Sequence, residues 1–203
     1  MPSVLAVYSS LNGEQGHSTV LANRYIDSRK SNEDVVVTKV DVAQLALPHL
    51  TSEEMQAWML SPDERSDEQK VLAERSDTLI QQLMDADEIV LAVPMYNFGI
   101  PSSLKAYFDR ISRAGVTFRY TETGPIGLLQ NKRATVFATR GGMYSGTEYD
   151  TQTSYLTNFL NFLGIQNIKF VYAEGLNVSE QQASESLASA EQKIIELSAE
   201  QVD

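Results

Sequence analysis

The chain has 203 residues, 42% hydrophobic and 21% charged, an ordinary balance for a globular protein with a core to bury. Its 16 Lys and Arg against 27 Asp and Glu give a formal charge of −11, which disfavours a general nucleic-acid binder and attachment to anionic lipid by a polybasic patch. Cysteine is absent, which excludes disulfides, thiolate metal sites and cysteine nucleophiles.

In chain order, residues 4–8 form a compact apolar run that ends at Ser9-Ser10 and reads as a first strand. A glycine-containing loop over 11–17 follows, with Ser18 expected as the N-cap of a helix to about residue 28. Residues 35–40 read as the second strand, and a polar insertion at about 51–67 follows. Over 69–84, Val71, Leu72, Leu79, Ile80 and Leu83 share one face of a helix. Residues 88–94 form the most continuously apolar strand, and a helix is expected over 102–113. A hairpin, about 117–127, precedes a fourth strand at 134–139. A helix containing 155–163, a fifth strand beginning at 169–172 and an amphipathic helix over 181–197 complete the pattern.

Strands without clean alternation, each followed by a helix, imply a parallel sheet covered on both faces. Five such units predict an α/β, flavodoxin-like doubly wound sheet of order 2-1-3-4-5, with ligands at the strand C-termini. No repeat, low-complexity tract or linker interrupts the pattern, so residues 1–203 read as one domain. The start Met1-Pro2-Ser3-Val4-Leu5 has no charged n-region or long apolar h-region, and no apolar run approaches the ~20 residues of a membrane helix. A cytoplasmic protein without membrane or nucleic-acid partners is expected.

Three loops carry the candidate chemistry. After the first strand, Ser9 to Thr19 places hydroxyls at both ends, glycines between them and a helix start behind, a cradle in which N–H groups and the helix dipole hold an anion. It lacks both Gly-x-Gly-x-x-Gly spacing and a phosphate-loop Lys, which disfavours nucleoside triphosphate hydrolysis. After the third strand, Pro94-Met95-Tyr96-Asn97-Phe98-Gly99-Ile100-Pro101 forms an irregular turn whose aromatic faces and amide suit a flat heteroaromatic ring. After the fourth, Thr139-Arg140-Gly141-Gly142 offers N–H groups to negative charge on a ring edge. Each loop alone also reads as an ordinary turn with no ligand; three on one rim of the sheet are the stronger signal.

Tyr-Ser-Ser with Gly-His-Ser, Pro-Met-Tyr-Asn-Phe, Arg-Ala-Gly-Val-Thr-Phe-Arg-Tyr-Thr-Glu and Thr-Arg-Gly-Gly together resemble the bacterial FMN-dependent NADH-azoreductases, which also act as NADH:quinone oxidoreductases. The resemblance runs from Met1 to about Ala190. It implies an FMN phosphate and ribityl chain at Ser10, Gly16, His17 and Ser18, and an isoalloxazine against Met95, Tyr96, Asn97, Phe98 and the turn of Thr139, Arg140, Gly141 and Gly142. It implies NADH as donor, quinones and aromatic azo compounds as acceptors, and ping-pong exchange in one slot. Hydride chemistry then belongs to the flavin, and no side chain is an obligatory acid or base. It further implies a homodimer in which Tyr120 and Phe162, often from the partner subunit, sandwich the acceptor; by periodicity alone Phe162 is equally a core residue. The family commonly has Ser-Gln-Ser where this chain has Gly16-His17-Ser18, and Ser where it has Thr139. The missing hydroxyl at residue 16 bears on FMN affinity rather than on FMN as the cofactor.

Other chemistries find little footing. His17 and His49 are the only histidines and lie far apart in sequence, which disfavours a His metal site, and no Gly-x-Ser-x-Gly elbow accompanies them. The runs Asp63-Glu64 and Asp67-Glu68 read as a solvated face, and Trp58 as a lid or dimer contact or a small core. A flavodoxin-type one-electron carrier shares fold and cofactor, but it needs neither the insertion nor the hairpin as pocket walls. A phosphoacceptor receiver needs acids where Ser9-Ser10 and Pro94-Met95 stand. Residues 51–90 carry net −8 and 174–203 net −6, whereas 91–173 carry net +4, so Arg113, Arg119 and Arg140 are expected to meet anionic ligands.

Overall fold

The computed structural model describes residues 1–199; the last four residues of the expected 1–203 unit lie outside them. Its main sheet contains β1 (Ser3–Tyr8), β2 (Val36–Asp41), β3 (Glu88–Pro94), β6 (Arg133–Thr139) and β7 (Asn167–Ala173), all parallel, in the order β2-β1-β3-β6-β7. With the hairpin strands β4 (Phe118–Thr121) and β5 (Gly124–Gly127) set aside, this is the expected 2-1-3-4-5 order. The chain has the flavodoxin-like fold.

The burial of each strand explains its composition. All seven residues of β3 are buried, because the strand lies at the centre of a sheet with helices on both faces. Ile89, Leu91 and Val93 face one core with α3 (Asp67–Asp85), α4 (Ser102–Ile111) and α5 (Thr151–Leu163); Val90 and Ala92 face the other with α1 (His17–Asn32) and α6 (Glu180–Ala199). Leu5 and Val7 alternate with Val4, Ala6 and Tyr8 on β1 in the same way.

The caps that open three of the helices are set by local hydrogen bonds and, for α1, by a glycine. A capping box between Ser66 and Gln69 opens α3, and the Asp150 carboxylate accepts the Thr153 N–H to open α5. Ser18 is not the N-cap of α1. Gly16 holds that position in an extended conformation, the helix begins at His17 and runs to Asn32, and Ser18 is buried in its first turn.

The insertion contains the helix α2 (Ser52–Met59), which packs on α3. It is not a loose lid: Glu54 reaches inward to Arg110 on α4, and Trp58 lies under the Arg113 guanidinium, 5.5 Å from its ring centre. Asp63, Glu64, Asp67 and Glu68 are exposed, in keeping with a solvated face.

Candidate functional site

The loops after β1, β3 and β6 open on one rim, and hydrogen bonds tie them together there. The Ser9 hydroxyl donates to the Ala92 carbonyl at 2.7 Å, and the Leu11 N–H reaches the Tyr96 hydroxyl at 3.1 Å, linking the first loop to the second. The Met95 N–H donates to the Thr139 carbonyl at 2.8 Å, linking the second to the third.

In the first loop a short 3-10 turn at Gly13–Gln15 leads into Gly16 and α1. The first N–H groups of a helix have no intrahelical partner, and the dipole makes this end positive. The Ser18 and Thr19 hydroxyls in the same turn are buried and make no hydrogen bond among the described residues. Gly16 is sterically required by Ser10: a Cβ at residue 16 would stand 2.2 Å from the Ser10 Oγ and 2.6 Å from its Cβ. Open N–H groups, two donor hydroxyls and a close backbone approach together form an oxyanion cradle that needs no basic side chain.

The second loop is held by a two-way bridge between Tyr96 and Gly99, each N–H donating to the other's carbonyl at 3.0 Å. At its centre Asn97 and Phe98 have φ of +51° and +62°. Asn tolerates this left-handed region; a bulky aromatic there costs on the order of 1–3 kcal/mol and persists only where its surroundings hold it. The N–H groups of both residues point at no partner among the described residues. The Phe98 ring meets Tyr144 edge-on at 5.4 Å and Tyr149 at 6.1 Å.

In the third loop the carbonyls of Arg140, Gly141 and Gly142 accept from the N–H groups of Leu176, Asn177 and Gly175. The Gly141 and Gly142 N–H groups make no hydrogen bond among the described residues and are left for a ligand. The Arg140 side chain does not share that role. It is buried and turned inward, donating to Asp150 and Thr153 at 2.8 Å, Glu174 at 2.9 Å and Gln152 at 3.3 Å, and it lies over the Tyr172 ring. Burial would raise the Asp150 carboxyl, but the bonds from Arg140 and Thr153 outweigh it and hold the group below the usual range. Burial likewise pushes the Tyr172 phenol up.

Arg113 is also withdrawn from any ligand, bonded to Asp77 and Ser76; of the three arginines only Arg119 is exposed. Between the second and third loops lies a cavity of about 420 Å³ lined by Met95, Asn97, Phe98, Gly141, Gly142, Tyr144 and Asn177. Tyr144, Asn177, Thr151, Gln152 and Glu174 were not anticipated. They lie outside the glycine-rich motifs, and their roles depend on contacts between loops far apart in sequence.

Tyr120 and Phe162 lie elsewhere. Phe118 packs between them, 5.4 Å from the Tyr120 ring and 4.4 Å from that of Phe162. Phe162 stands eleven residues along α5 from Thr151, about 16 Å down the helix axis. Neither reaches the rim cavity of its own chain. Tyr120 is 74% exposed, and Ile126 and Leu128 beside it on the hairpin are also open to solvent. A second apolar groove, about 510 Å³, runs from Phe98 and Ile100 past Ala106 and Tyr155 to His49 and Leu50.

A model of the flavodoxin-like fold family matches residues 2–197. An FMN-dependent NADH:quinone oxidoreductase of Alteromonas mediterranea is 62% identical over 197 residues, 97% of this chain and 98% of that protein. One from Cellvibrio japonicus is 48% identical, covering 96% and 97%. Among solved structures, an azoreductase from Bacillus anthracis strain Sterne aligns with a TM-score of 0.89 at 26% identity, over 98% of this chain and 99% of the other. An FMN-dependent NADH-azoreductase from Bacillus anthracis strain Ames Ancestor, in complex with FMN, aligns at 0.87 with 28% identity over 98% of each chain.

Proposed function

Because the chain belongs to the FMN-dependent NADH:quinone oxidoreductases of the flavodoxin-like fold, we propose that it reduces quinones by two electrons and cleaves aromatic azo bonds by ping-pong exchange in one slot. It is an FMN-dependent oxidoreductase with NADH as donor, and the one-electron carrier reading falls away. The observation that carries the site is an anion cradle, with buried Ser18 and Thr19 hydroxyls that have no partner among the described residues, on the same rim as a cavity lined by Gly141 and Gly142, whose N–H groups have none either. These residues fit FMN: a phosphate needs donors without a fixed counter-charge, and a ring that gains negative charge needs N–H groups at its edge.

FMN, when bound, supplies the hydride chemistry, taking two electrons from NADH and giving them to the acceptor. The chain supplies binding and orientation. Ser10, Gly16, His17 and Ser18 hold the phosphate end. Met95, Tyr96, Asn97 and Phe98 form one wall for the ring, and Thr139, Arg140, Gly141 and Gly142 another, with Arg140 contributing backbone rather than charge. Gly141 and Gly142 donate where negative charge collects, and the aromatic ring of Phe98 excludes water from the slot.

Residues 1–203 act as one FMN-binding unit in the cytoplasm, carrying the insertion about 51–67 and the hairpin about 117–127. The functional form is a homodimer, in which an exposed Tyr120 and a half-buried Phe162 meet the acceptor across the interface. The separation of these two rings from the rim of their own chain supports that reading.

The test is the visible spectrum of the purified protein, followed by anaerobic NADH titration and NADH consumption with menadione. Flavin absorbance that NADH bleaches and menadione restores is expected, with parallel lines in initial-rate plots. A colourless protein that takes up no added FMN would overturn the reading, and converging lines would overturn the exchange mechanism.

A further inference from the structure

The Tyr96–Gly99 bridge fixes the two ends of the strained turn and already holds the Gly99 carbonyl, but it does not hold the Phe98 carbonyl at the centre of the turn. The first two residues of α5 add bonds to this loop. The Thr151 hydroxyl donates to the Phe98 carbonyl, and the Gln152 amide donates to the carbonyls of Pro94 at 3.1 Å and Gly99 at 3.4 Å. The Gln152 amide oxygen accepts from the Arg140 Nε at 3.3 Å. Gln152 is 1% exposed, so this one buried amide ties the loop after β3 to the loop after β6. Both loops line the same cavity, Asn97 and Phe98 from one and Gly141 and Gly142 from the other, and the N–H groups of all four have no partner among the described residues.

We propose that Thr151 and Gln152 are positioning residues that hold the Asn97–Phe98 turn in its left-handed conformation and so set how tightly reduced FMN is bound relative to oxidised FMN. The inference rests on the reading that this turn lies against the ring. Both side chains are neutral and act through geometry, not through a field of their own. Donors fixed before charge arrives stabilise it more than donors that must first reorganise. Without the clamp, Phe98 relaxes toward the right-handed or extended conformations that a bulky residue prefers, and the donors turn with it. Reduction adds negative charge to the ring, so the reduced form loses more from that movement than the oxidised form does.

The test compares Thr151→Val, which keeps the size and removes the donor, with Thr151→Ser, which keeps the hydroxyl. Oxidised FMN affinity is read by fluorescence titration of the apoprotein, and the two-electron midpoint potential by equilibration of the holoprotein with a reference dye. Loss of one hydrogen bond predicts about threefold weaker binding of oxidised FMN in Thr151→Val. Reduced FMN is expected to weaken about tenfold more than that, which lowers the midpoint by about 30 mV. Thr151→Ser is expected to restore both. Gln152→Leu, which removes the bonds to the Pro94 carbonyl and from the Arg140 Nε and leaves the Gly99 carbonyl with the Tyr96 N–H alone, shifts both readings further where it folds; the Thr151 pair decides the matter where it does not. An unchanged potential in Thr151→Val, alongside lower thermal stability, overturns the proposal and leaves the clamp purely structural. Asn97→Asp separates the two readings: weaker FMN binding there with an unmoved Thr151→Val potential sinks the clamp alone, whereas unchanged FMN affinity in Asn97→Asp sinks the placement of the ring on which the clamp depends.

Discussion

Glu54 and Arg110 form a two-pronged ion pair inside the protein, with Oε1 accepting from Nε and Oε2 from Nη2, each at 2.8 Å, across 56 residues of chain. Neither residue is more than 1% exposed, and the remaining arginine nitrogen donates to the Ala106 carbonyl at 3.0 Å. This pair fastens the acidic insertion to α4. Removing one partner strands the other charge in the interior, so Glu54→Ala is expected to cost about 3–5 kcal/mol in urea unfolding. Replacing both with apolar residues of similar volume, Glu54→Leu with Arg110→Met, is expected to cost far less. Equal losses in the single and double variants would show that the insertion is held by other contacts.

The positive φ of Asn97 makes this position suitable for a test of charge alone. Asp and Asn both tolerate the left-handed region, so Asn97→Asp preserves the turn while placing a carboxylate at the ring edge. FMN affinity is expected to fall about tenfold or more, because an N–H donor becomes a charged acceptor beside an electron-rich ring. Asn97→Gly, which accepts the same backbone without side chain or charge, is expected to fall between the two in fluorescence titration.

Gly16 and Ser10 are sterically coupled. Any side chain at residue 16 meets the Ser10 Oγ and Cβ at well under contact distance, so one backbone must retreat. Gly16→Ala is expected to weaken FMN binding by about tenfold, as first-turn N–H groups move off the phosphate position. Ser10→Gly removes the obstructing atoms, so adding it to Gly16→Ala is expected to recover part of that loss even though Ser10→Gly alone weakens binding. A fully additive double variant would show that the two residues act independently.

What could be read from the sequence follows the range of the forces involved. The central strands were legible because a strand buried on both faces announces itself as a continuous apolar run, as residues 89–93 do, whereas the largely exposed edge strand β2 shows only as a run of valines. The three rim loops were legible because glycines and prolines mark where the backbone must turn or be approached closely. Arg140 was misread because an arginine beside two glycines looks like a ligand for anions, and only the fold brings Asp150 and Glu174 against it. Thr151 and Gln152 gave no signal because the loop carbonyls they bond lie over fifty residues upstream. Ser18 satisfies the local preference for an N-cap, yet Ser10 and Gly13 draw the chain in so that Gly16 caps instead. Phe98 runs against local preference outright, and such a conflict is expected where a strained turn serves a site.

Asp150 gives the network under the rim a pH dependence of known sign. Its carboxyl titrates lower in the folded chain than in the unfolded one, because bonds from Arg140 and Thr153 outweigh the effect of burial. The unfolded chain therefore takes up the proton first as pH falls, so the stability that Asp150 contributes is present above about pH 4 and drains away as pH drops toward the folded value. Asp150→Asn keeps a good N-cap for α5 while removing the charge opposite Arg140, which retains Glu174. At pH 7 the variant is expected to be less stable by about 1.5–3 kcal/mol, the range of a hydrogen bond to a charged group. Below pH 4 the gap is expected to narrow, because the wild-type carboxyl is losing its charge as well. Urea unfolding of both proteins between pH 3 and 7 measures the difference, and a gap that stays constant across that range would mean Asp150 contributes packing and capping rather than charge.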